Sequence, residues 1–262
     1  MLLEVRELSK SYPQAGLPQP VAALEKISFS LAENELICIL GPSGCGKSSL
    51  LNLIAGFIQP DHGMIRFDGG PINGPGPERG VVFQEPTLFP WLNIRHNIEL
   101  GLKAAGAGNS EQQRKVSESL ELVGLHCSQN AYPHQLSGGM KQRVALARVL
   151  ALEPRLLLMD EPFSALDAET REHLQDKLLK VCAARRQSVL FVTHSIEEAA
   201  YLADRVIVMG TPPASLHTEL RIHREKNRER SGKNLSLNVL RLRTVLKELS
   251  RCVPETENRE AI

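Results

Sequence analysis

The segment that most constrains the fold of this chain lies at residues 41–48, which read Gly-Pro-Ser-Gly-Cys-Gly-Lys-Ser and match the pattern GxxxxGK[ST]. It follows the apolar run 35–40 and precedes a run with helical spacing. Glycines allow the backbone to curl so that successive N–H groups face phosphate oxygens at a helix N-terminus, and Lys47 adds a positive charge. The sequence therefore predicts a phosphate-binding loop between a buried strand and a helix. The residues expected to contact the nucleotide are Gly41, Pro42, Ser43, Gly44, Cys45, Gly46, Lys47, Ser48 and Ser49.

Five short apolar runs have the length of buried strands, and segments with helical spacing separate most of them. These runs lie at 35–40, 80–83, 155–159, 188–192 and 205–209. Strands that alternate with helices are typical of an α/β fold with a mostly parallel sheet. Together with the phosphate loop, they predict the core of a P-loop NTPase.

The first 60 residues follow a different pattern, because apolar and polar residues alternate there. Leu3 and Val5, and later Ile27, Phe29 and Leu31, are separated by polar residues. Such alternation is typical of strands with one solvated face. It predicts a small antiparallel β subdomain before the nucleotide core.

The region 86–150 has helical spacing, with Ile94, Ile98 and Leu102 on one face. We predict that it forms an α-helical subdomain inserted into the α/β core. The segment 69–77 before it is dense in glycine and proline and is expected to be a loop.

Two adjacent acids, Asp160 and Glu161, end the buried run 155–159. Ligands of open α/β sheets bind at the carboxyl ends of strands. Asp160 is expected to hold Mg²⁺ together with Ser48, since Mg²⁺ prefers oxygen ligands. Glu161, which points the other way along an extended chain, is expected to accept a proton from an attacking water. The alternative is a pair of solvated acids that merely close a strand.

Composition excludes several classes. Lys and Arg number 31 against 30 Asp and Glu, and this balance argues against non-specific nucleic-acid binding as the main activity. The five cysteines are scattered and never spaced as CxxC, so neither a disulfide framework nor a zinc site is expected. No aliphatic run approaches the roughly 20 residues of a membrane-spanning helix, and the N-terminus does not have the pattern of a secretory signal.

Three further motifs stand in the order found in a known family: Leu136-Ser137-Gly138-Gly139 with the following Met-Lys-Gln-Arg, then Ser164-Ala165-Leu166-Asp167, then Thr193-His194. With the phosphate loop and the acid pair, residues 1–210 resemble the nucleotide-binding subunits of ABC transporters. The resemblance implies binding and hydrolysis of ATP with Mg²⁺ by two copies of the chain that face each other head to tail.

The resemblance also implies roles for individual residues. It makes Glu161, His194 and Gln84 catalytic, with Gln84 also touching the metal beside Ser48 and Asp160. Tyr12 is expected to stack on adenine. The residues that would reach the partner's ATP are Ser137, Gly138, Gly139 and Asp167. The alternatives are an N-capping serine with loop glycines and a histidine with only a structural role.

The run 74–84, followed by Leu88-Phe89-Pro90-Trp91, resembles the nitrate, sulfonate and taurine importers, most closely the ATPase of taurine import. This implies two permease subunits as partners, a solute-binding protein as an indirect partner, and peripheral attachment to the cytoplasmic face of the inner membrane. The alternatives are an importer of nitrate or another small anion, and a soluble ABC ATPase that acts on nucleic acid. ATPases of that second kind usually carry long coiled-coil or zinc insertions, for which this sequence has no pattern.

Residues 211–262 are predicted to be a C-terminal extension. Its basic segment 221–233 is interpreted as a solvated tail rather than a lipid contact. An amphipathic helix follows, with its apolar face expected to cover either the core or a partner. That face consists of Leu235, Val239, Leu242, Val245, Leu246 and Leu249.

Overall fold

The computed structural model of the protein describes residues 1–14, 16, 18–211, 213–223 and 230–252, of which 250–252 by their backbone alone. Two short 3-10 turns accompany the strands and α-helices, at His126–Ser128 and Pro133–Gln135. In chain order the elements are β1 (Leu3–Tyr12), β2 (Val21–Leu31), β3 (Leu36–Leu40), α1 (Lys47–Ala55), β4 (His62–Phe67), β5 (Gly70–Pro71), β6 (Arg79–Val82), α2 (Ile94–Ala104), α3 (Asn109–Leu122), α4 (Gly138–Ala151), β7 (Leu156–Asp160), α5 (Ala168–Arg185), β8 (Ser188–Thr193), α6 (Ile196–Leu202), β9 (Arg205–Met209), β10 (Leu216–Arg221) and α7 (Lys233–Cys252).

The central sheet has the strand order β10-β9-β3-β8-β7-β6. All neighbours in it are parallel except the edge pair β9 and β10. Apolar residues cover both faces of the sheet. On one face, Leu36, Cys38 and Leu40 pack against buried residues from most of the helices. On the other face, Ile37 and Ile39 belong to a second cluster of buried apolar residues. A strand buried on both faces has a continuous apolar run, which is why the five runs correctly predicted β3, β6, β7, β8 and β9. The edge strand β10, whose residues alternate between partly buried and exposed, was not predicted.

The predicted N-terminal antiparallel sheet is confirmed, with the order β2-β1-β4-β5. Its inner face and the central sheet enclose helix α1, whose Leu50, Leu53 and Ile54 are buried between them. The helix that starts at the phosphate loop is therefore held between two sheets.

The prediction of a loop over 69–77 is wrong for Gly70 and Pro71, which pair with Phe67 and Arg66. Asp68 and Gly69 connect the two strands with φ angles of 51° and 78°. A two-residue turn with both φ angles positive matches the twist of a hairpin, and Asp-Gly is a preferred sequence for it. The Asp68-Gly69 dipeptide in the sequence therefore indicated a hairpin.

Helices α2, α3 and α4 form the predicted helical insertion between β6 and β7. Ile94, Ile98 and Leu102 of α2 and Val116 and Leu120 of α3 are buried in one cluster with α4. The chain thus has the expected three parts: an α/β core with the phosphate loop, an antiparallel β part and a helical part. Among the residues that the structure covers, no helix is long and apolar enough to cross a membrane.

The C-terminal region packs on the core. Strand β10 pairs with β9, so the central sheet continues across the boundary predicted at residue 210. Leu242 of α7 is fully buried, and the other apolar residues of the predicted helix face pack against the same cluster. Residues 224–229 of the basic segment lie outside the described residues. The solvated-tail interpretation is wrong for Arg230, whose guanidinium lies 3.9 Å from the ring centroid of Tyr201.

Candidate nucleotide site

The phosphate loop is tightly packed at Gly46 and open at Gly44. Gly46 has a φ of 86°, and a Cβ there would lie 2.8 Å from Leu24 Cδ2. Gly44 has a φ of 79°, but a Cβ there would meet nothing within 4 Å. Helix α1 starts at Lys47, and Gly46 before it offers no side-chain cap. The first N–H groups of α1 therefore have no intrahelical partner and can bind an anion.

Lys47 is held inside this loop with only 6% of its surface exposed. Its ammonium donates hydrogen bonds to the carbonyl oxygens of Gly41 at 2.9 Å and Pro42 at 2.7 Å. Burial raises the pKa of the neighbouring Cys45 thiol, against the effect of the Lys47 charge. The loop thus presents a cation that neutral carbonyls orient, and phosphate oxygens are stronger acceptors for such a cation.

Asp160 ends β7 and is 8% exposed. Burial raises its pKa, and the charge of Glu161 adds to this, while the hydrogen bond with Ser48 and the charge of Lys47 act in the opposite direction. Ser48 and Asp160 therefore place a hydroxyl and a carboxylate oxygen side by side. The described residues contain no group of three or more His, Cys, Asp or Glu that could hold a metal. This donor set fits Mg²⁺, which takes few protein oxygens and keeps phosphates and water as ligands.

The three residues predicted to be catalytic lie together, and Glu161 contacts the other two. His194 Nδ1 lies 3.0 Å from Glu161 Oε1, and Gln84 Nε2 lies 3.5 Å from Glu161 Oε2. Since β6, β7 and β8 are neighbours in the sheet, their carboxyl ends bring Gln84, Glu161 and His194 to one edge. The Glu161 side chain is 14% exposed, whereas that of His194 is 59% exposed.

The expectation that Glu161 lies on an extended chain is wrong. β7 ends at Asp160, and Glu161 has a φ of 43°, in the left-handed region. Pro162 follows and disfavours the right-handed helical conformation at Glu161. The turn is held by the carbonyl of Glu161, which accepts hydrogen bonds from Ser164 N at 3.2 Å and Ser164 Oγ at 3.0 Å. A left-handed conformation at a non-glycine residue is strained and often found at functional sites.

The residues predicted to reach a partner's nucleotide form a second group. Ser137 caps α4 and accepts a hydrogen bond from Met140 N at 3.3 Å, and Gly138 beside it is exposed. A Cβ on Gly139 would lie 3.2 Å from the carbonyl oxygen of Ala165, which shows how closely α4 approaches the segment before α5. Asp167 caps α5 through Thr170 N at 2.9 Å, and this hydrogen bond lowers the pKa of Asp167. Two helix N-termini thus lie close together: that of α4 has no acidic residue in its first turn and is suited to an anion, whereas that of α5 has Asp167 as its cap and Glu169 in its first turn.

Tyr12 ends β1 and is 37% exposed, so its ring is accessible to a planar ligand. The paired strand β2 carries Ala23 and Leu24, which lie against Gly46 of the phosphate loop. Stacking of Tyr12 on adenine stays a prediction.

Two residues of the site were missed from the sequence. Gln142 of α4, 1% exposed, donates from Nε2 to the carbonyl of Phe83 at 3.1 Å and so fixes the residue before Gln84. Glu198 accepts a hydrogen bond from Thr193 Oγ1 at 2.6 Å, on the residue before His194. The spacing Ser-x-x-Glu at 195–198 is a capping-box signal that points to this helix start.

The chain is similar to known proteins over most of its length. The sequence profile of the family described as "ABC transporter" matches residues 24–164. The nitrate import ATP-binding protein of Synechococcus elongatus is 50% identical over 216 residues, which cover 81% of this chain and 79% of that protein. The taurine import ATP-binding protein of Pseudomonas putida is 48% identical over 221 residues, which cover 84% of this chain and 83% of that protein.

A solved structure shares the fold. It is a dimeric ATP-binding cassette in a post-hydrolysis state, bound to ADP and Pi, and it matches with a TM-score of 0.77 at 30% identity over 86% of this chain and 100% of its own. The chain therefore belongs to the ABC transporter family, as an ATP-binding cassette of the group that includes the nitrate and taurine import proteins.

Proposed function

We propose that this ABC ATPase drives uptake of taurine or a related sulfonate, with nitrate or another small anion as the alternative cargo. The observation that carries ATP hydrolysis is the convergence of Gln84 and His194 on the Glu161 carboxylate, at the strand edge that also presents Asp160. The choice of cargo is supported by the 48% identity to the taurine import ATP-binding protein. In this proposal ATP is the substrate of the chain itself. The transported solute is bound elsewhere, by the permease and its solute-binding protein.

The phosphate loop would bind the β- and γ-phosphates of ATP. Lys47 would exchange its two carbonyl acceptors for phosphate oxygens, while the uncapped N–H groups of α1 orient the same phosphates. Ser48, Asp160 and Gln84 would hold Mg²⁺. The ion, when bound, supplies positive charge that neutralises the phosphates during transfer.

Glu161 is the residue best placed to accept the proton of the attacking water. Its carboxylate has one oxygen near His194 Nδ1 and the other near Gln84 Nε2, so its orientation is fixed from both sides. A positioned general base contributes roughly 10²- to 10⁴-fold to a rate. His194, which is largely exposed, would contact the γ-phosphate, and release of that phosphate would break the contact.

The group formed by Ser137, Gly138, Gly139 and Asp167 supports a head-to-tail pair. This group offers two helix N-termini. The acid pair Asp160 and Glu161 and the ammonium of Lys47 belong to the first group, around the phosphate loop. A second copy of the chain would bring this group to the γ-phosphate held by the first copy. ATP would then close the pair, and hydrolysis would open it.

An open apolar groove supports a permease as partner. It has a volume of about 680 Å³, lies between the central sheet and α2 and α4, and is lined mainly by apolar side chains. Phe57 and Leu100 in it are 47% and 42% exposed, and Trp91 beside Phe89 is 71% exposed. Exposed aromatic patches of this kind mark protein interfaces. Phe83 also lines the groove, so a permease segment bound there would press on the residue next to Gln84.

This arrangement would place the chain on the cytoplasmic face of the membrane, attached through two permease subunits. Residues 1–210 would form the ATPase unit and residues 211–262 an extension of it. No role for nucleic acid is part of the proposal.

The test is uptake of labelled taurine, alkyl sulfonates and nitrate by cells that have or lack this chain. Cells without it would be complemented with the wild-type chain or with Glu161→Gln. Loss confined to taurine and sulfonates and restored only by the wild type would support the proposal. Loss confined to nitrate would select the alternative, and unchanged uptake of all three would reject both cargoes.

A further inference from the structure

A chain of side-chain hydrogen bonds connects the C-terminal extension to helix α6. Arg230 Nη1 donates to Gln175 Oε1 at 3.2 Å, and Gln175 Nε2 donates to Glu198 Oε1 at 3.2 Å. Gln175 is 3% exposed. Its amide therefore has both ends engaged, and its orientation depends on the guanidinium on one side and the carboxylate on the other.

The chain ends on the two residues that flank His194. Glu198 Oε2 accepts a hydrogen bond from Thr193 Oγ1 at 2.6 Å, and the same hydroxyl accepts one from the backbone N–H of Ser195 at 3.0 Å. Ser195 in turn caps α6 by accepting from Glu198 N at 3.2 Å. The backbone on both sides of His194 is thus held by the group that Gln175 orients.

Arg230 is fixed at the other end of this chain. Its guanidinium lies 3.9 Å from the ring centroid of Tyr201, and Nη2 donates to Asp176 Oδ1 at 2.8 Å. The hydroxyl of Tyr201 donates to the same Oδ1 at 2.5 Å. A planar guanidinium that is both stacked and hydrogen-bonded loses little further freedom when it holds another acceptor.

Helix α7 approaches the same histidine from another side. Arg243 Nη2 donates to Glu197 Oε1 of α6 at 2.8 Å. Leu246 and Leu249 line a cavity of about 460 Å³ together with Gly41, Pro42, His194 and other residues. The extension therefore contacts α6 and also borders the space between His194 and the phosphate loop.

We propose that Arg230 is a positioning residue for His194 and that the C-terminal extension thereby sets the rate of ATP hydrolysis. Arg230 acts through Gln175 and Glu198 and does not touch the nucleotide. The inference rests on the proposed role of His194 in hydrolysis. The phosphate loop supplies most of the contacts to bound ATP, so loss of the connection should reduce kcat by a larger factor than it raises KM for ATP.

The test uses the full-length chain with ATP and Mg²⁺ as substrate, at a temperature well below the thermal midpoint of each variant. Arg230→Gln and Gln175→Met should each lower kcat by about tenfold to 10²-fold. The double variant should be no slower than the slower single variant, because both remove the same connection. Arg230→Lys, which keeps the charge but not the planar fork, should recover part of the rate. Arg66→Gln, an exposed arginine on β4, is the matched control and should have the wild-type kcat.

The inference is overturned if Arg230→Gln and Gln175→Met lower only the thermal midpoint and turn over ATP like the wild type, since that is the behaviour of a purely structural clamp. Should Arg230→Gln fail to fold, Gln175→Met and Arg230→Lys carry the same test. His194→Ala and Glu161→Gln are measured in parallel to separate the two proposals. If both are inactive while the Arg230 variants are normal, the catalytic assignment stands and only the inference fails. Wild-type turnover in both would remove the catalytic assignment itself and the inference with it.

Discussion

His194 Nδ1 lies 3.0 Å from Glu161 Oε1, although the two residues follow different strands of the sheet. The contact is an ion pair when the imidazole is protonated and a hydrogen bond when the neutral ring carries its proton on Nδ1. Either way it ties the end of β8 to the end of β7 and restricts the orientation of the Glu161 carboxylate. The same contact makes the orientation of Glu161 depend on whatever positions His194.

We expect Glu161→Gln to retain ATP binding and to lose about 10²- to 10⁴-fold in turnover, because the amide cannot accept the proton of the attacking water. Steady-state hydrolysis and equilibrium binding of ATP measure the two effects separately. Glu121→Gln, at an exposed position of α3, is the matched control. Near-normal hydrolysis by Glu161→Gln would remove Glu161 from its role as general base.

Lys47→Ala is expected to weaken ATP binding by about 10- to 100-fold, since a hydrogen bond to a charged group contributes about 1.5–3 kcal/mol. Isothermal titration calorimetry of the variant with ATP gives the dissociation constant. Lys103→Ala, which removes an exposed ammonium from α2, should bind ATP as the wild type does. An unchanged affinity for Lys47→Ala would contradict the assignment of residues 41–48 as the phosphate loop.

The elements around the phosphate loop were predictable because their signals are local. β3 is buried on both faces and therefore has an unbroken apolar run, and Gly44 and Gly46 mark where the loop backbone turns left-handed. The left-handed conformation of Glu161 was not predictable, because it depends on the Ser164 hydrogen bonds and on Pro162 together. The identity of any one of these residues does not predict such a turn.

The placement of the C-terminal residues depends on distant partners and could not be predicted. An apolar stripe such as that of α7 shows that the helix covers a surface but not which one. Arg230 stands in a run of basic residues that is typical of a solvated tail. Its partners Asp176 and Tyr201 belong to α5 and α6, far away in the sequence, and only the folded structure brings them to it.

Docking of α7 predicts the effect of truncating its buried residue. Leu242 is 0% exposed, so Leu242→Ala should lower the free energy of unfolding by about 2–5 kcal/mol, the range for leucine-to-alanine changes in cores. Leu240 lies on the same helix and is 62% exposed, and Leu240→Ala should change the stability by less than about 0.5 kcal/mol. Urea denaturation of the full chain measures both. Equal effects of the two substitutions would mean that α7 is not docked on the core in solution.

Glu198 predicts a pH dependence of stability. Burial raises the pKa of Glu198 above its ordinary value of about 4.5, while the hydrogen bond from Thr193 and the charges of Arg171 and His194 act in the opposite direction. A carboxyl group that binds its proton more tightly in the folded state adds stability at low pH. That contribution is complete below the unfolded pKa and is lost as pH rises through the folded pKa.

We therefore expect the free energy of unfolding of the wild type, relative to that of Glu198→Gln, to fall as pH rises from about 4.5 toward neutrality. Urea denaturation of both proteins across this range measures the difference. The neighbouring Glu197 provides a control of opposite sign, because a backbone hydrogen bond and Arg243 lower its pKa. Its contribution is present above the unfolded pKa and is lost as pH falls through the folded pKa, so the wild type should lose stability relative to Glu197→Gln on acidification. A difference between wild type and Glu198→Gln that stays flat or grows with pH would contradict the prediction, because it would show that burial does not raise the pKa of the Glu198 carboxyl above its unfolded value.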